Sequence, residues 1–214
     1  MKQDDRSAAP PDELRRRLLR AMIAAPALLV TSNLAIGRWA SAADASTSLP
    51  LTPACADDDD EPTESQTEGP YFTPDSPKRT SLIEAGITGA PLVLSGTVLT
   101  RSCRPVVGAL VDFWQADAAG NYDNRGFRLR GHQFTDAKGA WRLETIVPGL
   151  YPGRTRHIHV KVQAPAQRVL TTQLYFPGES RNARDRIFDA DLLLAMPEPA
   201  MGGDARFDFV LDLP

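Results

Sequence analysis

Two cysteines and three histidines in 214 residues are few, and the shortage excludes much chemistry. Cys55 and Cys103 lack the paired spacing of a zinc site. Serine, histidine and aspartate are present, but no Gly-x-Ser-x-Gly elbow supports a hydrolase. The net charge is −3, and no Lys/Arg-rich patch lies beyond the N-terminus, so nucleic-acid binding has no electrostatic support. Long apolar runs are also missing. The best candidate, Ala21 to Ile36, is short and carries Pro26 and Asn33, which argues against a stable membrane span. The acidic run Asp57-Asp58-Asp59-Asp60-Glu61 has neither the spacing nor the glycine of an EF-hand loop and reads as a solvated face. No internal repeat is found.

What is present divides into three parts. Residues 1–42 have the order of an export signal: Arg15-Arg16-Arg17-Leu18-Leu19-Arg20, a moderately apolar run, then the small-residue site Ala40-Ser41-Ala42. The basic stretch resembles the twin-arginine signal, with Leu14 in place of the usual Ser or Thr. It predicts export to the periplasm or the extracellular space; an amphipathic surface helix is the alternative. Residues 43–66 are rich in Ser, Thr, Pro and Asp and read as an acidic linker or wrapped arm. Residues 67–214 hold the fold. Two cysteines in an exported chain suggest one disulfide between Cys55 and Cys103, contributing about 4 kcal/mol in the chain-entropy model; two unrelated thiols are the alternative.

Short runs of β-forming residues, separated by turn signals, extend from Leu92 onward. They are Leu92 to Thr100, Ala109 to Gln115, Arg128 to Thr135, Ala140 to Ile146, Arg156 to Gln163, Leu170 to Phe176 and Phe207 to Leu211. Asp136-Ala137-Lys138-Gly139 reads as a turn between two of them. This pattern predicts an all-β chain, an antiparallel β-sandwich with long loops. Only Arg181 to Met196 has room for a short helix, limited by Pro197.

Chemistry concentrates at His157-Ile158-His159. Period two puts both imidazoles on one strand face and Ile158, Val160 and Val162 on the other. Tyr151 precedes the first histidine by six positions, in the turn feeding that strand. Tyr122 follows Trp114-Gln115-Ala116-Asp117-Ala118-Ala119-Gly120-Asn121, in a loop after a strand. Two phenols and two imidazoles suit a hard, strongly acidic cation, with ferric iron the first candidate. A trivalent cation favours phenolate over phenol, and neutral imidazoles complete the shell. Trp114 reads as core and His132 as structural or exposed. Tyr71 either lines a pocket mouth or anchors the arm.

Four segments in order resemble the intradiol ring-cleavage dioxygenases: Gln66-Thr67-Glu68-Gly69-Pro70-Tyr71-Phe72, Val111 to Asp117, Tyr151 to Val162, and Thr172-Gln173-Leu174-Tyr175-Phe176-Pro177-Gly178. The resemblance implies iron(III) as cofactor, held by Tyr122, Tyr151, His157 and His159. It implies a catechol-type diol and O2 as reactants and a muconate-type diacid as product. Tyr151 would leave the metal when the diol binds, Arg154 would stabilise negative charge on the ring, and Gln173 would orient the site from behind the histidines. The segments between Tyr122 and Tyr151 and between Tyr151 and His157 look shorter than in the well-known enzymes, and no long helical dimerisation domain precedes the sandwich. Pocket shape and oligomeric state therefore do not transfer; a homo-oligomer stays open. The competing expectations are a noncatalytic transthyretin-like binding module and a metalloenzyme using only the two histidines.

Overall fold

The computed structural model describes residues 61–196 and 202–214; the leader, most of the linker and Cys55 lie outside the described residues. Among the described residues eight strands form: β1 (Pro91–Thr100), β2 (Leu110–Trp114), β3 (Arg130–Phe134), β4 (Ala140–Ile146), β5 (His157–Gln163), β6 (Val169–Tyr175), β7 (Gly203–Arg206) and β8 (Phe209–Leu211). One sheet has the order β3-β2-β5-β6, antiparallel throughout. The other has the order β4-β1-β7, with β8 paired to the far end of β1. The expected all-β sandwich is present, with one difference. β7 and β8 run parallel to β1, so this sheet is mixed. Parallel pairing needs a crossover rather than a hairpin, and the long connection after β6 supplies it. That connection holds two 3-10 turns, Asn182–Arg184 and Ala190–Leu192, where a short helix was expected. β7 was not among the expected strands; its Gly203-Asp204-Ala205-Arg206 has no β-branched or aromatic residue to mark it.

Alternation decides the layers. Leu92, Leu94 and Val98 of β1, Leu143 of β4, Val111 and Phe113 of β2, and Ile158, Val160 and Val162 of β5 are buried in one core. Phe113 and Trp141 meet between the sheets with ring centroids 5.2 Å apart. Every second residue of the β3-β2-β5-β6 sheet therefore faces away from this core. That outer face carries Asp112, Trp114, His157, His159 and Gln173, all buried.

An N-terminal arm covers them. Thr63 exchanges hydrogen bonds with Val210 of β8. Gln66 N–H reaches Thr171 O, and Thr172 Oγ1 donates to Glu64 O. Further on, the Phe72 ring lies edge-on to Trp114 at 5.0 Å, Ser76 Oγ donates to Asp112 at 2.8 Å, and Arg79 N–H donates to His132 O. His132 is occupied by this packing, as the structural reading expected; Ser76 Oγ lies 3.1 Å from its Nδ1. Cys103 is disulfide-bonded, and the chain's other cysteine, Cys55, lies outside the described residues.

Candidate metal centre

The strand sets the histidines. Across the ladders His157 pairs with Tyr175, and His159 pairs with Gln173 on one side and Trp114 on the other. His157 Nδ1 lies 2.7 Å from Thr155 O. A carbonyl only accepts, so Nδ1 carries the proton and Nε2 of the neutral ring is bare. Burial lowers the pKa of His157 to about 4 and that of His159 well below its ordinary value, so both rings are neutral at pH 7. The two Nε2 atoms are 3.2 Å apart. Trp114 stacks on His159 at 4.8 Å with planes 7° apart. It is buried as expected, but on the site face rather than between the sheets. His159 Nδ1 is buried and has no hydrogen-bond partner among the described residues.

Loops set the tyrosines, and the two loops lock each other. Asp117 Oδ1 accepts from Ala119 and Asn121 N–H at 2.9 Å, which closes the turn before Tyr122. Asp117 O then accepts Gly149 N–H at 2.7 Å, from the loop leading to Tyr151. A Cβ on Gly149 would lie 2.4 Å from Gly120 N, and one on Gly120 would lie 2.4 Å from Leu150 O. Only two glycines let these backbones approach so closely. Tyr122 Oη donates to His157 Nε2 at 3.1 Å. Burial pushes the Tyr122 phenol above its ordinary pKa. Tyr151 Oη shares a 2.7 Å hydrogen bond with Tyr71 Oη, and its ring lies edge-on to Tyr122 at 5.7 Å. Tyr71 also stacks on Tyr122 at 4.7 Å, so it anchors the arm and lines the site at once.

Arg154 stands beside this group. Its Nη2 donates to Gln173 Oε1 at 2.8 Å and lies 3.5 Å from Tyr175 Oη; its Nε donates to Asp185 Oδ2 at 2.8 Å. Gln173 Nε2 donates to Thr67 O. Gln173 therefore acts on Arg154 and the arm, as a positioning residue. The structure adds three residues that sequence reasoning missed. Arg130, 1 % exposed, donates from Nε and Nη2 to Asp123 O and from Nη1 to Tyr71 O, tying the Tyr122 loop to the arm. Asp185 accepts from Arg154 and from Thr155 N–H, the residue whose carbonyl orients His157. Tyr175 Oη donates to Ile187 O. An arginine in a strand beside a glycine was the one available signal, for Arg130; for the other two the signal is purely tertiary.

The donor set fits a cation. The Tyr122 oxygen and the two imidazole nitrogens are spaced 3.1 and 3.2 Å. Bonds of about 2.0–2.1 Å to one ion place neighbouring donors roughly 2.9–3.4 Å apart. His157 Nε2, bare in the tautomer that Thr155 O fixes, lies between the Tyr122 oxygen and His159 Nε2, where an electron pair can serve a cation. Among the described residues no group of three His, Cys, Asp or Glu side chains converges, so any metal here needs tyrosine.

A family model described as "Dioxygenase" matches residues 67–213. The chain belongs to the intradiol dioxygenase family. Among solved structures it is similar to the dioxygenase domain of a dioxygenase carbohydrate-binding protein fusion from Streptomyces sp. SirexAA-E. The identity is 60%, the alignment covers 72% of this chain and 100% of that one, and the TM-score is 0.69. It is similar to 3-chlorocatechol 1,2-dioxygenase from Rhodococcus opacus 1CP at 28% identity, covering 72% and 73%, with a TM-score of 0.65. Among curated proteins it is 38% identical over 119 residues to the protocatechuate 3,4-dioxygenase beta chain of Burkholderia cepacia, covering 47% of this chain and 50% of that one. The chain spans about half the length of the curated relatives it matches. Neither the transthyretin-like module nor the histidine-only metalloenzyme finds support in these likenesses.

Proposed function

We propose that this chain is a ferric intradiol dioxygenase, inserting both atoms of O2 between the hydroxyl-bearing carbons of a catechol-type diol to give a muconate-type dicarboxylic acid. The observation that carries the reading is the convergence of Tyr122 Oη on His157 Nε2 at 3.1 Å, with His159 Nε2 a further 3.2 Å from that same nitrogen, within the span the family model matches. Tyr122, Tyr151, His157 and His159 would hold the iron. The iron supplies Lewis acidity toward the diol and the ring.

The chain's own residues do the rest. Thr155 O fixes the His157 tautomer, leaving Nε2 bare for the metal. Burial favours the neutral phenol of Tyr122, and a cation held here would favour its phenolate instead. Tyr151 differs from Tyr122: its hydroxyl rests on Tyr71, so of the two phenols it would be the one placed to turn aside and accept a proton from an incoming diol. Arg154 is permanently charged and aimed by Gln173 and Asp185, which suits it to stabilise negative charge building on the ring. Trp114 covers the His159 ring, and Phe72 packs edge-on against Trp114.

Export through the twin-arginine-like leader is part of this reading, supported by the disulfide at Cys103, which suits an oxidising compartment. Cell fractionation tests it; retention of the uncleaved chain in the cytoplasm refutes it.

Activity is tested on iron-loaded protein by oxygen uptake against a panel of diols, with product identification. The expected result is a red-brown protein that forms muconate-type diacids. A colourless protein, or extradiol products, refutes the proposal.

A further inference from the structure

Of the two histidines, only His157 has its ring angle fixed by a hydrogen bond. A metal-bound histidine ordinarily donates its second ring N–H to an oxygen, and that bond orients the ring. Thr155 O serves His157 in this way at 2.7 Å. His159 Nδ1 is buried and finds no acceptor among the described residues. Its ring is held by packing instead. Trp114 stacks on it at 4.8 Å, 7° from parallel. The arm lies against it as well, for a Cβ on Gly69 would stand 3.4 Å from His159 Cε1.

The stack continues outward and ends on a charge. Phe72 of the arm meets the Trp114 indole edge-on at 5.0 Å. Lys161 Nζ lies 3.7 Å from the centre of the Phe72 ring, well within the range of a cation–π contact. Glu68 pairs with the same ammonium, and the Lys161 side chain is only 19 % exposed, so water weakens the contact little. Lys161 is itself fixed. It follows His159 by two positions on β5, hence on the same sheet face, and it pairs with Asp112 of β2. The strand that bears His159 therefore also grips the arm that presses on the Trp114 stack. We infer that Phe72 and Lys161 are positioning residues for His159, acting through Trp114 to set the angle of the imidazole at the iron. The arm is then a working part of the metal centre and more than its cover. The inference rests on the intradiol reading above.

The test compares Lys161→Met and Phe72→Leu with the conservative Lys161→Arg and Phe72→Tyr, which keep a cation and a ring, on the iron-loaded full chain. Ser76→Ala is the control, since it removes the arm's hydrogen bond to Asp112 without touching the stack. The readouts are the tyrosinate-to-iron visible band, the electron paramagnetic resonance of the ferric ion and the rate of iron release to a chelator. Lys161→Met and Phe72→Leu are expected to shift both spectra and to release iron about two- to tenfold faster, the scale of one aromatic or cation–π contact. The conservative variants are expected to stay close to wild type. A lower Tm with unchanged spectra makes these contacts structural only and overturns the inference. So does an equal spectral shift in Ser76→Ala, which assigns the effect to the arm as a whole. Where Phe72→Leu does not fold, Lys161→Met decides alone. If the wild-type chain takes up no iron, the ferric reading itself has failed, and the iron-free chain decides by NMR. The Trp114 ring current moves the His159 ring-proton signals upfield, and Lys161→Met is expected to shrink that displacement; identical signals overturn the positioning role.

Discussion

His157 and His159 come to the site on a strand, whereas Tyr122 and Tyr151 come on loops, and the two pairs are held by different physics. β5 is hydrogen-bonded on both sides, and its inward residues Ile158, Val160 and Val162 are fully buried. Shifting either histidine means slipping a ladder and turning that apolar face outward. The tyrosine loops rest instead on one glycine–glycine approach, one aspartate-closed turn and the buried Arg130 fork. The difference teaches a division of labour. The strand gives a fixed pair of neutral donors, and the loops give a pair whose members need not behave alike. Tyr122 points at His157, while Tyr151 rests on Tyr71.

Four substitutions break or sharpen that contrast. The largest effect is expected from His159→Ala, which removes a strand-borne donor. It should abolish stoichiometric iron binding and with it all turnover, while circular dichroism reports a folded sandwich; metal analysis of the purified variant decides, and full iron occupancy contradicts the site. Tyr151→Phe should come next. Iron binding persists with an altered visible band, and kcat falls by roughly 10²-fold or more, the scale of a lost positioned proton acceptor; unchanged kinetics reject the role.

Gly149→Ala probes the loops without touching any donor. Its Cβ would press on Gly120 N and on Ala118 O at 2.4 and 2.5 Å. Relief costs about 1–3 kcal/mol, expected mainly as weaker iron affinity and broadened tyrosinate absorption rather than loss of fold. Iron affinity equal to wild type shows that the loops do not depend on this contact. The smallest effect is expected far from the site, at the β3–β4 turn. Asp136 accepts from Lys138 and Ala140 N–H, and these backbone donors hold its carboxyl below the usual range. A depressed folded pKa stabilises the fold above the unfolded value of about 4 and loses that contribution as pH falls through the folded value. Asp136→Asn should thus lower Tm slightly at pH 7, with the gap to wild type narrowing in acid and no change in iron binding. A gap that widens in acid reverses the sign of the argument.

The strand-borne half of the site is legible along the chain because its determinants are local. His-Ile-His followed by Val and Val states which face is buried, and the ladder around it follows from turn residues such as Asp136 and Gly139. The tyrosines lie in stretches without periodicity, so their nomination rested on the family resemblance. Asp185 and Tyr175 carry no local mark at all, and Arg130 only its place beside Gly131 in a strand. Each matters through partners on other segments of the chain: Tyr71 and Asp123 for Arg130, Arg154 and Thr155 for Asp185, and Ile187 for Tyr175. β7 escaped notice for the same reason, since a short polar strand is made by its neighbour β1.

By itself, the sequence determined the all-β layering, the common face of the two histidines and the absence of zinc-finger, hydrolase-elbow and nucleic-acid signatures, because these follow from residue type and period two. Only the tertiary structure decided that Tyr122 meets the imidazoles and Tyr151 meets Tyr71. It also decided that Trp114 belongs to the site face and that Phe72 of the arm packs against it. Those outcomes depend on which distant backbones approach within hydrogen-bonding reach, and no local preference along a chain encodes that.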